Sequence, residues 1–162
     1  MKDNVYTDPA LAKRIVQHFQ PSGLCLDPCR GTGAFYNAMP INSEWCEIDD
    51  GVDFLTYEKQ VDWIITNPPF SGKLYRAISQ RAFRLSNNVV FLCRFDLALG
   101  ISLARHQDFL QAGHSIKEII MLPFNDAKFI DQNNETVKSG FPLSAIHWQK
   151  NYDGETKWRY WI

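Results

Sequence analysis

At 162 residues, 45% of them hydrophobic, the chain can build one domain with a core and has no length left for a second folded unit such as a separate target-recognition domain. The N-terminal MKDNVYTDPALAKR lacks an apolar signal core and no apolar run approaches membrane-spanning length, which excludes a membrane protein and predicts a cytoplasmic one. Net charge is −1 but unevenly spread: residues 1–70 carry 5 basic and 10 acidic side chains, residues 71–109 carry 6 and 2, and residues 110–162 carry 6 and 6.

In chain order, Leu11, Ile15, Val16 and Phe19 repeat at helical spacing behind Thr7, a candidate N-cap, and Pro9, so Val5 to Phe19 reads as an amphipathic helix. Pro21, Ser22 and Gly23 end it. Leu24 to Leu26 is a short strand running into Asp27-Pro28-Cys29-Arg30-Gly31-Thr32-Gly33-Ala34-Phe35, where Gly31 and Gly33 allow close backbone approach and Ala34 to Met39 can start a helix. Strand, glycine turn and helix N-terminus form a nucleotide cradle, although Gly-Thr-Gly by itself also fits an ordinary strand-to-helix turn. A second strand, Ser43 to Asp49, places Glu47 twenty residues beyond Asp27, the spacing at which dinucleotide folds hold ribose hydroxyls. Only three residues then separate Asp49 from Asp53, too few for a crossover helix, so a third strand at Val52–Leu55 is rudimentary.

Val61 to Gly72, VDWIITNPPFSG, is the stretch the rest supports. Trp63 to Thr66 is an apolar and β-branched run without alternation, as in a strand buried on both faces of a parallel sheet. Pro68 and Pro69 forbid its continuation and push Asn67 to an extended conformation, so the backbone leaves the sheet at the strand's carboxyl end. The Asn67 side-chain carbonyl and the Pro68 backbone carbonyl can accept both hydrogens of a planar aromatic amine, with Phe70 stacked on its ring. Taken alone, these four residues also fit a proline-rich turn. Beyond them Lys73, Arg76, Gln80 and Arg84 share one face of a helix whose other face carries Leu74, Ile78, Ala82 and Leu85, and that face reads either as a phosphate contact or as a solvated surface. A fifth buried strand ends at Arg94, and Leu97 to Leu110 reads as a helix. Two further strands flank an 18-residue polar loop, 124–141, whose Phe124, Lys128 and Phe129 are candidates to meet nucleic acid unless the loop is a plain hairpin. The last residues read as a turn and strand whose aromatics cover the sheet. Cys25, Cys29, Cys46 and Cys93 lack a CxxC pair, and the four histidines lack ligand spacing; reduced thiols and no metal site are expected.

DPCRGTGAF, CEID, VDF and NPPF, in that order over roughly residues 5–95, resemble the cofactor and catalytic motifs of class I S-adenosylmethionine-dependent methyltransferases. NPPF is similar to the motif of those that methylate amines, and the short link to it resembles the small adenine-specific DNA methyltransferases of phages and prophages. The resemblance implies a single Rossmann-like α/β domain with a mainly parallel seven-stranded sheet and an antiparallel seventh strand. It implies that Asn67, Pro68, Pro69 and Phe70 are catalytic. Asp27, Gly31 and Gly33 would cradle the methionine part of S-adenosylmethionine, Glu47 would hold its ribose, and Asp53 and Phe54 would meet its adenine, with Pro28, Phe35, Ile48 and Asn67 also against the cofactor. The Tyr6-Thr7-Asp8-Pro9 segment resembles a family Thr-Pro motif with Asp8 inserted, in which Thr7 would bind the cofactor carboxylate. The implied reaction is methyl transfer to the exocyclic amine of adenine in DNA, with Lys73, Arg76, Arg84 and Lys128 on the substrate. A homodimer or separate specificity partner would complete recognition. RNA is the alternative substrate; a protein-glutamine methyltransferase would usually carry Tyr where Phe70 stands, and an inactive cofactor-binding protein is the reading outside enzymes.

Overall fold

The computed structural model describes residues 5–100, 103–123, 128–131, 133 and 135–161. Strand β1 (Val5–Thr7) leads into helix α1 (Pro9–Phe19). Asp8, rather than Thr7, caps that helix: its carboxylate accepts the Ala10 N–H at 2.7 Å, and Pro9 takes the first helical position, where a missing N–H costs nothing. Four parallel strands follow, β2 (Cys25–Asp27), β3 (Glu44–Trp45), β4 (Val61–Thr66) and β5 (Ser86–Arg94), with α2 (Gly72–Leu85) crossing between the last two. After β5 come α3 (Phe95–Leu99) and α4 (Leu103–Gln111) in place of one helix over Leu97–Leu110, with 101–102 outside the described residues. The chain ends through β6 (His114–Met121), β7 (Lys128–Asp131), β8 (Thr136–Lys138), β9 (Leu143–Lys150) and β10 (Lys157–Tyr160).

The main sheet has seven strands in the order β10-β6-β9-β5-β4-β2-β3, and β9 runs antiparallel between β5 and β6. Residues alternate between two apolar layers. Ile64, Val89 and Phe91 face the layer of Ile78, Ala82 and Phe83 of α2, whereas Cys25, Ile65 and Val90 face Leu11, Ala12, Ile15 and Val16 of α1. Burying each such aliphatic or aromatic side chain contributes about 1.5–3 kcal/mol, which is why helices on both faces of a short sheet suffice to hold it. Cys25, Cys46 and Cys93 are buried, and all four cysteines are free thiols.

Further sequence expectations change: Val5–Thr7, read as the start of the first helix, is strand β1, which pairs with β7. The rudimentary third strand shrinks to an isolated antiparallel bridge between Glu47 and Val52 and a single 3-10 turn at Phe54–Thr56. The helix expected from Ala34 is one 3-10 turn, Tyr36–Ala38, because Pro40 blocks any second turn. The terminal strand β10 lies parallel to β6 at the sheet edge; of its aromatics Trp158 and Tyr160 are 51% and 70% exposed, and Trp161, just after it, packs on the apolar layer beneath α1. The polar 124–141 segment supplies a β7–β8 hairpin that pairs antiparallel with β1, giving a second, three-stranded sheet; Phe124 lies outside the described residues. Among the described residues no helix is long and apolar enough to cross a membrane.

The chain leaves β2 toward β3 on one side and returns to β4 on the other, so the order reverses between β2 and β4. Beyond the carboxyl ends of such a pair the outgoing loops diverge and leave a crevice.

Candidate active site

A cavity of about 550 Å³ opens at that crevice. Small-molecule sites span roughly 300–1,000 Å³. Its walls come from the loop after β2 (Pro28, Gly31, Phe35), the loop after β3 (Glu47, Ile48), the turn at Asp53 and Phe54, and the corner after β4 (Asn67, Pro68, Pro69, Phe70). Thr7 of β1 closes one side. Five segments, from Thr7 to Phe70, therefore line one space.

The glycine loop is held by backbone conformation. Gly31 has φ +52° and a Cβ there would lie 2.9 Å from the Tyr6 ring, while Gly33 has φ +92° and no direct place on the cavity wall. Glu47 ties this loop to its own, since its carboxylate accepts the Gly31 N–H at 2.6 Å and the Asp49 N–H at 3.3 Å. A carboxylate has about four lone-pair positions, so two remain for ligand hydroxyls.

At the corner, Asn67 donates from Nδ2 to the Thr7 hydroxyl oxygen at 3.1 Å, and its Oδ1 is buried with no partner among the described residues. Phe70 is half-buried and packs against both core layers. An unsatisfied buried carbonyl costs roughly 1–3 kcal/mol, and a donor bound at this corner would recover it.

Asp27 sits beneath the glycine loop rather than on the cavity wall, 1% exposed. Its Oδ1 accepts from the Thr66 hydroxyl at 2.7 Å and the Cys29 N–H at 3.3 Å; Oδ2 has no partner among the described residues. Burial outweighs these bonds and pushes its carboxyl from 3.8 up to about 7. With the folded-state value raised, its stability contribution is complete below pH 3.8 and is lost as pH rises to about 7, where both states are ionised. Stability of the ligand-free protein to urea is therefore expected to fall between these pH values, by up to about 1.4 kcal/mol per pH unit from this group. Asp27→Asn should remove that slope; superimposed pH profiles of the two proteins would mean that Asp27 is ionised in the folded state at neutral pH.

No family model matches the sequence, and no curated protein matches it significantly. Solved structures do resemble it. A Listeria monocytogenes protein provisionally described as a class I S-adenosylmethionine-dependent methyltransferase superposes with a TM-score of 0.71 at 14% identity, over 99% of this chain and 67% of that one. A Pyrococcus horikoshii protein provisionally described as an RNA methyltransferase gives 0.65 at 13% identity, over 91% and 83%. Magnesium protoporphyrin IX methyltransferase from Synechocystis, solved with bound S-adenosylmethionine, gives 0.62 at 12% identity, over 88% and 79%. The chain has the class I methyltransferase fold.

Within this methyltransferase fold the predicted substrate cations do not act together. Arg76 makes a bidentate pair with Asp108 of α4 at 2.7 and 2.9 Å, and Gln80 joins the same carboxylate at 2.9 Å, because α4 packs against what the sequence presents as a free polar face. The Arg76 guanidinium and its hydrogen bonds hold the Asp108 carboxyl below the usual carboxylate range. Arg84 lies at the far end of α2, about 18 Å along the helix from Gly72. Lys73, in the first turn, and Lys128, on β7, are exposed near the cavity. Leu74, assigned to the core face, is 42% exposed and lines the cavity instead. Phe129, proposed for nucleic acid, is 4% exposed and also lines it. Tyr6 and Phe129 belong to β1 and β7, and no local pattern in the sequence pairs those two segments.

Proposed function

We propose that this protein is an S-adenosylmethionine-dependent methyltransferase acting on the exocyclic amine of adenine in DNA. The observation that carries the reading is that Asn67, Pro68, Pro69 and Phe70 share one cavity with Gly31 and Glu47, so an amine-orienting corner and a nucleoside-binding cradle face the same space. Gly31 and Pro28 would hold the methionine part of the cofactor, Glu47 its ribose, and Phe54 with Ile48 its adenine. The unpartnered Asn67 Oδ1 and the ribose-ready Glu47 carboxylate fit such a molecule. When bound, S-adenosylmethionine supplies a sulfonium methyl as electrophile. Asn67 and the Pro68 carbonyl take the amine's two hydrogens as acceptors, which draws its nitrogen toward tetrahedral geometry and directs the lone pair at the methyl. Phe70 stacks on a base turned out of the duplex. Transfer would join the amine nitrogen to the methyl carbon, leave the sulfur's bonding pair on the demethylated thioether, and release the amine's surplus proton to solvent.

RNA is the second reading, supported by the similarity to the Pyrococcus protein. Incubation with methyl-labelled cofactor and matched DNA, RNA and protein pools, followed by digestion, separates them. N6-methyladenine from the DNA pool is the expected product; label in RNA alone moves the assignment there, and label in none leaves a binding protein.

Phosphate contacts are expected from Lys73 and Lys128 rather than from Arg76 and Arg84. Releasing two contacts should lower the log–log salt slope of DNA binding by about 1.4–1.8 in a Lys73→Ala, Lys128→Ala protein. An Arg84→Ala protein should keep the parent slope. If both variants retain it, the backbone is held elsewhere.

A further inference from the structure

Thr7 is 6% exposed and meets the Asn67 corner through its hydroxyl. Its hydroxyl oxygen accepts the Asn67 Nδ2–H at 3.1 Å, and this is the hydrogen bond that holds the Asn67 side chain, since Oδ1 has no partner among the described residues. Thr7 is itself immobilised. It pairs with Phe129 in the β1–β7 ladder, beside Tyr6 with Ile130 and Val5 with Asp131, and Asp8, the cap of α1, follows immediately. A three-residue strand could not hold a side chain in place alone; pairing with the β7–β8 hairpin makes it a rigid support.

We propose that Thr7 is a positioning residue for Asn67, resting on the reading of Asn67 as the group that orients the amine. A side-chain amide presents a donor end and an acceptor end, and an incoming amine needs the acceptor. By occupying the Nδ2 end, the Thr7 oxygen anchors the amide on the β1 side and leaves Oδ1 as its unspent acceptor. The β7–β8 hairpin thereby acts on the chemistry through β1, without touching the reacting atoms. This role differs from binding the cofactor carboxylate, and the two are separable by which kinetic quantity moves.

The test uses the full-length protein carrying Thr7→Val, which keeps the shape and removes the hydroxyl, and Thr7→Ser, which restores it. With saturating cofactor and the substrate pool that the parent methylates, Thr7→Val is expected to lower the single-turnover rate about 5- to 10-fold, the value of one hydrogen bond, with cofactor affinity unchanged. Thr7→Ser should recover most of the rate. In an Asn67→Ala background Thr7→Val should cost nothing further, as a residue acting through another must. A raised cofactor dissociation constant with an unchanged saturated rate would overturn the proposal and return Thr7 to the cofactor, and full additivity with Asn67→Ala would overturn it as well. If the parent methylates no pool, the amine-orienting reading fails, and the contact is decided by the nitrogen-15 signals of the Asn67 side-chain amide. Signals that shift in Thr7→Val and return in Thr7→Ser support the anchor; signals indifferent to both remove it.

Discussion

Asn67→Ala is expected to lower the single-turnover rate of methyl transfer by about 10²–10³-fold, the cost of deleting one preorganised polar group that acts chiefly in a transition state. Cofactor affinity should survive, because the Gly31 loop and Glu47 are built on β2 and β3, and their mutual hydrogen bond does not involve Asn67. Removing the side chain also removes the buried, unpartnered Oδ1, so the folded protein loses a liability along with the Thr7 contact, and no large loss of stability is expected. The decisive measurement is single turnover at saturating cofactor beside calorimetric cofactor binding. An Asn67→Ala protein with most of the parent rate would remove the amine-orienting mechanism and leave the corner as a proline-rich turn.

Glu47→Ala is expected to weaken S-adenosylmethionine binding by roughly 1.5–3 kcal/mol through lost charge-assisted bonds to the ribose. The structure adds a second consequence. Glu47 also accepts the Gly31 N–H at 2.6 Å, so the alanine variant frees the glycine loop, whereas Glu47→Gln keeps a neutral acceptor in place. Calorimetry on both variants divides the effect: the part common to both belongs to the charge, and the part seen in Ala but absent in Gln belongs to the loop tie together with the ribose bonds that a neutral acceptor keeps. Parent-like affinity in Glu47→Ala would show that the segment after β3 is not the ribose site.

The cavity was largely legible in advance because its residues belong to short motifs at strand ends. Trp63 to Thr66 announced a buried strand by lacking alternation, and two prolines announced where it stops; the structure has Ile64 and Ile65 fully buried and the cavity beginning at Asn67. Glu47 followed from its distance to Asp27. Outcomes were different wherever a residue's neighbour lay on another element. Arg76 has the spacing of a free basic face, yet Asp108, 32 residues later, neutralises it once α4 docks on α2. The 124–141 segment has the composition of a surface loop, but Lys128–Asp131 and Thr136–Lys138 pair as a hairpin, three of its residues (Phe129, Ile130 and Asp131) pair with β1, and that pairing carries Phe129 into the cavity wall.

Local chemistry alone therefore determined the strand, the break and the glycine turn, because proline geometry, glycine conformation and apolar runs act within a few residues of chain. Tertiary structure decided which cations stay free, which aromatics are buried, and that Thr7 meets Asn67 across 60 residues. Those facts depend on the docking of α4 and on the pairing of β1 with a distant hairpin, and contact energies of that kind are set by which surfaces pack together, a property no window of the sequence contains.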